Sequence, residues 1–357
     1  MRRAQDDPGI IGGVDTHKDV HAVAALSATG HLLSTALFPT IPAGYTQLLA
    51  WLRGHGPLVR GGIEGTGSYG AGLTRFRRAA DVEVVEVNRP NRQLRRRRGK
   101  SDPIDAEAAA RAALAGEAMG IPKSQDGLVE AIRVLRVARR SALKARTQAA
   151  NQLQAIVSSA PSEVREHLRG RRVPELVLAA RRFRCSPPRT LPAATRYAVP
   201  ALATRWTVLD AEVRQLDEHL AALVATTAPQ LVDVFGVSSE TAGALLVAAG
   251  DNPERLRQEA SFAALCGVSP VDASSGRQHR HRLNRGGNRD ANRALWVVVM
   301  ARMRRDQRTR EYVERRTQHG LSKKEIIRCL KRYVARELYR QLRLVLPVQD
   351  HLAVQPA

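Results

Sequence analysis

Short apolar runs alternate with helical patterns in the first third of the chain. Three runs separated by turn residues predict a meander of strands at 10–15, 20–26 and 31–38. A helical stripe, a strand ending at Glu64, a second helix and a strand at 82–87 follow. With one more helix after it, this β-β-β-α-β-α-β order is that of an RNase H-like sheet. We therefore predict an α/β domain over residues 1–118.

The middle of the chain has longer helical patterns. Apolar residues recur at helical spacing over 128–156 and again over 209–223, in a polar background. We predict a helical coiled-coil region for linkage or assembly at 119–230, with the proline-containing stretch 181–200 as the loop between its two long helices. The two helices could pair within one chain or with a second protomer.

The last part of the chain, 231–345, is predicted to be a further helical domain, followed by a tail at 346–357. Within it, VFGVSSETAGALL is similar to a helix-hairpin-helix, in which Gly236 would let the backbone approach a phosphate. A glycine turn between two packed helices has the same pattern, so both interpretations stay open. The predicted fold class is thus α/β plus all-α.

Four acidic residues stand at the ends of predicted elements. Asp15 and Glu64 each end an apolar run, whereas Asp102 and Asp105 open an alanine-rich helix that starts after Ser101. The three-residue spacing lets Asp102 and Asp105 point the same way. Four carboxylates in one pocket would repel each other unless cations lay between them, so we predict a site for Mg²⁺, with two ions, that serves phosphodiester chemistry.

Two more acids, Glu83 and Glu86, lie on the last predicted strand. Because they alternate with valines, we predict that both face solvent and are not catalytic.

The charge of the chain changes the picture of its partners. There are 57 Lys and Arg against 34 Asp and Glu, which gives a formal net charge of +23. Such a charge is typical of proteins that bind DNA or RNA. A coding bias toward Arg could also produce it, but the clustering of the basic residues favours nucleic acid.

Cysteine and hydropathy indicate where the protein acts. The three cysteines, Cys185, Cys266 and Cys329, are far apart and have no metal-ligand or disulfide spacing. The sequence has neither an apolar run of membrane-spanning length nor a signal-peptide pattern. We expect a cytoplasmic protein without a membrane partner.

Basic residues concentrate before Asp102 and after Gly276. Between Gly276 and Thr317 there are thirteen arginines against four acids. Although such runs are often solvated loops, we expect nucleic-acid contacts from these two segments. The expected contact residues are Arg95, Arg96, Arg97, Arg98, Lys100, Arg277, Arg280, Arg282, Arg285 and Arg289.

Two serines, Ser274 and Ser275, directly precede Gly276. A hydroxyl beside cationic side chains could act as a nucleophile, but it would need a base, a metal or strong electrostatic help. A plain polar turn would have the same sequence, and spacing alone does not separate the two.

Several motifs together resemble a known family. GVDTHKDVHAVAAL, IEGTGSYG, VNRP and RGKSDPIDAEAAARAAL resemble the N-terminal DEDD, RuvC-like domain of the insertion sequence 110 family of transposases. FAALCGVSPVDASSGRQHRHRLNRGGNRDANRALW is similar to that family's C-terminal transposase domain. The resemblance implies a recombinase that cuts and rejoins donor and target DNA, guided by a structured non-coding bridge RNA.

The resemblance also implies roles for individual residues. Asp15, Glu64, Asp102 and Asp105 would bind Mg²⁺ next to the scissile phosphate. Ser274, with Ser275 as the adjacent alternative, would attack and form a covalent phosphoserine link. The two domains of one site could come from different subunits of a homo-oligomer, a dimer or a tetramer.

Two other functions remain in competition. A metal-dependent nuclease, such as a junction resolvase, would use the four acids without a serine. A basic protein on a degenerate RNase H fold would bind nucleic acid without cutting it.

Overall fold

The computed structural model describes residues 9–80, 82–87, 101–116, 120–184, 187–252, 256, 258–274, 276 and 281–345. The chain divides into two compact units. The first draws on Met1–Glu130 and Ala249–Ala264, and the second on Ala131–Ala248 and Leu265–Val345. In the described part of the chain, no helix has the combination of length and apolar composition that crossing a membrane requires.

The first unit is built on a mixed five-stranded sheet in the order β3-β2-β1-β4-β5. β1 pairs antiparallel with β2 and parallel with β4, which in turn is parallel to β5. The predicted meander and the β-β-β-α-β-α-β-α order are confirmed. The elements are β1 (Ile10–Thr16), β2 (Val20–Ser27), β3 (Leu32–Pro39), α1 (Pro42–Gly54), β4 (Leu58–Glu64), α2 (Ala71–Ala79), β5 (Val84–Val87) and α3 (Asp102–Leu114).

Helices cover the two faces of this sheet. On one face Val14 and Ile63 pack in a buried cluster with Leu48 and Leu52 of α1. On the other face α3 packs its alanines on β1, β2, β4 and β5. Because side chains alternate along a strand, Ile11, Gly13 and Asp15 of β1 all belong to the α3 face.

Two glycines allow α3 to lie unusually close to the sheet. A Cβ atom on Gly13 would stand 2.2 Å from the Ala106 carbonyl oxygen and 2.3 Å from the Ala110 nitrogen. On the neighbouring strand, a Cβ on Gly62 would stand 2.5 Å from the Ala109 carbonyl oxygen. A larger side chain at either glycine would therefore push α3 away from the strands.

The second unit contains the long helices predicted for the middle of the chain. α4 (Leu128–Ser159), α5 (Ser162–Leu168), α6 (Val173–Ala180) and α7 (Leu191–Thr227) follow one another. α4 and α7 run antiparallel and pair within the chain: Arg139 bonds Asp217, and Arg146 bonds Asp210 at 2.5 Å. A role of this region in assembly stays a prediction.

The loop predicted at 181–200 is wrong in its second half. α7 begins at Leu191, where the Thr190 side chain accepts a hydrogen bond from the Ala193 backbone N–H. The helix then continues through Pro200. Buried Val199 and Ala203 pack on Leu153 of α4, so tertiary packing outweighs the cost of a proline inside the helix.

The remaining elements of the chain are mostly helical. They are α8 (Pro229–Val232), α9 (Ser239–Ala249), α10 (Glu259–Leu265), β6 (Val271–Asp272), β7 (His281–Arg282), α11 (Arg289–Arg305), α12 (Gln307–Gln318) and α13 (Lys323–Val345). Gly236 has a φ of +86° between α8 and α9, which agrees with the predicted turn. The helix before this turn has only four residues, and phosphate contact there stays a prediction. The tail at 346–357 lies outside the described residues.

The contact of α3 with β1 gives a first testable prediction. Gly13→Ala introduces a methyl group where backbone atoms of α3 already lie, so we expect it to lower the free energy of unfolding by about 1–3 kcal/mol or more. Gly54→Ala is the matched control, because no atom lies within 4 Å of a Cβ there. Chemical denaturation measures both. Equal unfolding free energies for the two variants would contradict the close contact.

His21 gives a second prediction, on pH. Its ring is buried against Tyr45, without a hydrogen-bond partner in the described residues, and burial lowers the pKa of His21 to about 4. Since the unfolded chain takes up this proton near pH 6.5, His21 destabilises the fold progressively as the pH falls from about 6.5 to 4.

We expect His21→Phe to remove this part of the acid sensitivity, which amounts to about 3 kcal/mol between those pH values. Unfolding free energies measured across that range test it, with His31→Gln on the exposed surface as control. The same loss of stability in His21→Phe and in the unsubstituted chain would refute the assignment.

Candidate metal centre

The strand register places Asp15 and Glu64 at the same edge of the sheet. Val14 pairs with Ile63, so the next residues, Asp15 near the end of β1 and Glu64 at the end of β4, share the face that α3 covers. The Thr16 hydroxyl donates a hydrogen bond of 2.8 Å to the Glu64 carbonyl oxygen and joins the two strand ends. Asp15 is 8% exposed and Glu64 is half-buried.

The first turn of α3 brings the other two acids to this edge. Ser101 has extended backbone at the N-cap, and Pro103 occupies the first turn, as predicted. Asp105 lies on the buried side of α3, while the Asp102 side chain is 54% exposed. Because α3 rests directly on Gly13, its first turn lies beside Asp15, which is two residues further along β1.

His17 joins the acids and was not predicted as a site residue. Its Nε2 atom lies 3.1 Å from Oδ2 of Asp15 and 3.3 Å from Oδ1 of Asp102. One ligand atom from each of these three residues lies within 4.8 Å of the others, a spacing that could hold a metal ion. The sequence signal was available, because a residue two positions after Asp15 falls on the same side of an extended chain.

The pKa of Asp15 reports how strongly this site resists negative charge. Burial raises this pKa most, the neighbouring His17 lowers it, and the charges of Asp105 and Asp102 raise it further. The amide groups at the N-terminus of α3 favour the two helix acids. A divalent cation among these oxygens would offset the repulsion, and carboxylate oxygens are the ligands that Mg²⁺ prefers.

The segment between α3 and α4 supports the loop that follows Glu64. The Gln125 side chain donates a 2.7 Å hydrogen bond to the Thr66 carbonyl oxygen, and the Thr66 hydroxyl donates one of 2.7 Å to Glu86. The prediction that Glu86 faces solvent is therefore wrong. Glu83 is exposed and pairs with Arg60. Residues three apart on a strand point to opposite faces, so the two glutamates could not share one environment.

Ser274 belongs to the second unit, whereas all four acids belong to the first. It follows β6, where its hydroxyl donates a 2.5 Å hydrogen bond to Oδ1 of Asp272 and its backbone N–H donates one of 2.9 Å. These bonds lower the pKa of Asp272. Sequence reasoning missed Asp272, although an acid two residues before a serine is a known turn signal. Ser275 lies outside the described residues.

Three of the predicted basic contact residues lie among the described residues. Arg282, Arg285 and Arg289 are exposed on the second unit, where they could meet a polyanion. The other predicted contacts lie outside the described residues: Arg95, Arg96, Arg97, Arg98, Lys100, Arg277 and Arg280.

Comparisons with known proteins match two segments of the chain. A family model of DEDD-type IS110 proteins, described as "Transposase", matches residues 12–160. A second model, "Transposase IS116/IS110/IS902 family", matches residues 228–314. The chain is 32% identical over 148 residues to "Insertion element IS110 uncharacterized 43.6 kDa protein" of Streptomyces coelicolor. That alignment covers 41% of this chain and 36% of the relative, so the chain spans about a third of its relative's length.

The clustered acids predict a response to divalent cations. If Asp15 and Asp102 share an ion, Mg²⁺ or Mn²⁺ at about 100 times its dissociation constant should stabilise the fold by about 2.7 kcal/mol. Asp15→Asn and Asp102→Asn should abolish this gain, and Asp15→Asn should stabilise the metal-free chain, because burial and acidic neighbours raise the pKa of Asp15. Asp233→Asn, on the second unit, is the control. Thermal unfolding with and without metal measures the effect, and an unchanged Mg²⁺ response in Asp102→Asn would exclude the centre.

Proposed function

We propose that this chain, which belongs to the IS110 family of transposases, is an enzyme that cuts and rejoins donor and target DNA. The observation that carries the proposal is the meeting of Asp15 and Asp102 through His17, with the charge of Asp105 acting on the same carboxyl group. The two matched segments, one on each side of the long helices, support it.

We assign the first unit to an RNase H-like, RuvC-like fold. Its support is the sheet order, with an antiparallel meander on one side of β1 and the parallel strands β4 and β5 on the other. For the second unit we propose a helix-hairpin-helix element, which the turn at Gly236 supports.

In this proposal Asp15, Glu64, Asp102 and Asp105 hold two Mg²⁺ ions. When bound, these ions supply Lewis-acid activation and neutralise charge at the scissile phosphate. Asp15 and Asp105 are fixed by burial, so they define the position of the phosphate. Asp102 and His17 are both exposed, and His17 contacts Asp15 and Asp102, so these two side chains form the open side of the site.

Ser274 is the proposed nucleophile, with Ser275 as the alternative. Its hydroxyl gives up its proton and its oxygen forms a bond to phosphorus, while the bond from phosphorus to one deoxyribose oxygen breaks and that oxygen takes up a proton as it leaves. Asp272 orients the hydroxyl through its 2.5 Å hydrogen bond. The phosphoserine link conserves the energy of the phosphodiester, so the reverse attack by another strand end rejoins the DNA without an external energy source.

We further propose a guide RNA, a dimer or tetramer, and action in the cytoplasm. The net charge of +23 and the exposed arginines of the second unit support a second nucleic acid beside DNA. If the acids and Ser274 of one site come from different subunits, the long helices α4 and α7 are the elements best suited to hold those subunits together.

A metal-dependent nuclease is the second candidate. One observation favours it: all four acids belong to the first unit, whereas Ser274 belongs to the second. Such an enzyme would cut DNA without a serine and would leave breaks.

Two substitutions separate these functions. In cells that carry the coding region with its native flanking DNA, Asp102→Asn and Ser274→Ala should each reduce recombination by about 10²-fold or more, because each removes a group that acts on the scissile phosphate. A denaturing gel should show a protein–DNA adduct that Ser274→Ala, or Ser275→Ala if that serine acts, abolishes.

Ser158→Ala, on the exposed side of α4, is the matched control and should recombine normally. Normal cutting by both Ser274→Ala and Ser275→Ala would favour the nuclease. Full activity of Asp102→Asn would exclude both enzymes.

A further inference from the structure

An open cavity of about 410 Å³ lies in the second unit, between the N-terminal half of α11 and the loop after β7. Arg289, Arg293 and Trp296 line it from the helix, where spacings of four and three residues place them on one side. Leu283 and Arg285 line it from the loop. The volume falls within the range of small-ligand sites.

Trp296 opens a large part of its side chain to solvent. It is 46% exposed, although tryptophan is among the residues with most apolar surface to bury. Leu283, which lines the same cavity, is 48% exposed. Two large apolar side chains open to one cavity present a surface that a ligand with a flat apolar face would cover.

Hydrogen bonds and close packing hold the frame around the cavity. Asn292 donates a 2.8 Å hydrogen bond to the Cys266 carbonyl oxygen and accepts one of 2.9 Å from Lys331. The Asn288 side chain caps α11 by accepting from the backbone N–H groups of Asp290 and Ala291. Gly287 packs closely on Gly267, because a Cβ atom on Gly287 would lie 2.2 Å from the backbone nitrogen of Gly267. The cavity is therefore built into the fold before any ligand arrives.

The charge at the cavity is positive. Three arginines line it, and no acidic residue among the described ones does. The nearest acid along α11, Asp290, forms an ion pair with Arg140 and so does not neutralise these arginines. A ligand should therefore combine a flat apolar ring with negative charge at its side.

We propose that this cavity binds one unpaired nucleobase of a single-stranded segment, stacked on Trp296, with its flanking phosphates on Arg289 and Arg293. Stacking of bases on aromatic side chains, with basic residues along the backbone, is how proteins hold single strands. A paired base inside a duplex cannot present its face to an indole ring. The inference rests on the proposed nucleic-acid function, and it assigns a site that is separate from the four acids.

Binding of fluorescein-labelled oligonucleotides of about 20 nucleotides, measured by anisotropy with the full chain and EDTA, tests this site. The probes are single-stranded DNA, single-stranded RNA and duplex DNA. Trp296→Ala should weaken binding of at least one single strand about 5- to 150-fold, because a stacking surface is lost, and should leave duplex binding within about 2-fold. The strand that responds identifies DNA or RNA as the source of the base.

Three further variants sharpen the test. Trp296→Phe keeps an aromatic face and should retain most of the affinity. Arg293→Gln should reduce the salt dependence of single-strand binding by about one phosphate contact, whereas Trp296→Ala should leave it unchanged. Val297→Ala, the exposed neighbour of Trp296 on α11, is the matched control and should bind as the unsubstituted chain does.

Unchanged single-strand binding by Trp296→Ala would overturn the proposal, and so would an equal loss for single strands and duplex. Because EDTA prevents cleavage, this readout is independent of the metal centre. Loss of recombination in Asp102→Asn together with normal binding by Trp296→Ala would refute only the base site. Normal recombination in Asp102→Asn together with weakened single-strand binding by Trp296→Ala would refute only the proposed reaction.

Discussion

The contact between the backbone of α3 and the glycines of β1 and β4 is the constraint on which the candidate metal centre depends. Gly13 and Gly62 have no side chains, so the alanines of α3 rest on the strands themselves. This fixes the height and direction of the helix, and with them the place of its first turn. The acids of that turn, Asp102 and Asp105, then meet Asp15 at the edge of the sheet.

The same contact imposes an electrostatic cost. Asp15 and Asp105 are both buried, and the pKa of Asp15 is raised by that burial and by its acidic neighbours. The N-terminal amides of α3 and the nearby His17 offset part of the repulsion. A site that concentrates negative charge in this way is poorly suited to stability alone, and it is well suited to holding divalent cations.

Much of the first unit could be predicted from the sequence because its signals are local. Apolar runs define the strands, and Ser101 with Pro103 marks the start of α3. The misses come from tertiary packing. Pro200 indicates a loop, but burial of its neighbours on α4 keeps it inside a helix. The spacing of His17 from Asp15 and of Asp272 from Ser274 is visible in the sequence, but the hydrogen bonds that give each residue its place are not. The glycines of β1 and the alanine-rich helix are each visible in the sequence, whereas the contact between them is not.

The most direct test of this account is anomalous diffraction from crystals of the full chain grown with Mn²⁺. The account predicts metal density at the edge of the sheet, coordinated by Asp15, Asp102 and Asp105 and by Glu64. Metal density elsewhere, or at a single exposed carboxylate with Asp15 unliganded, would contradict the claim that these acids form one centre.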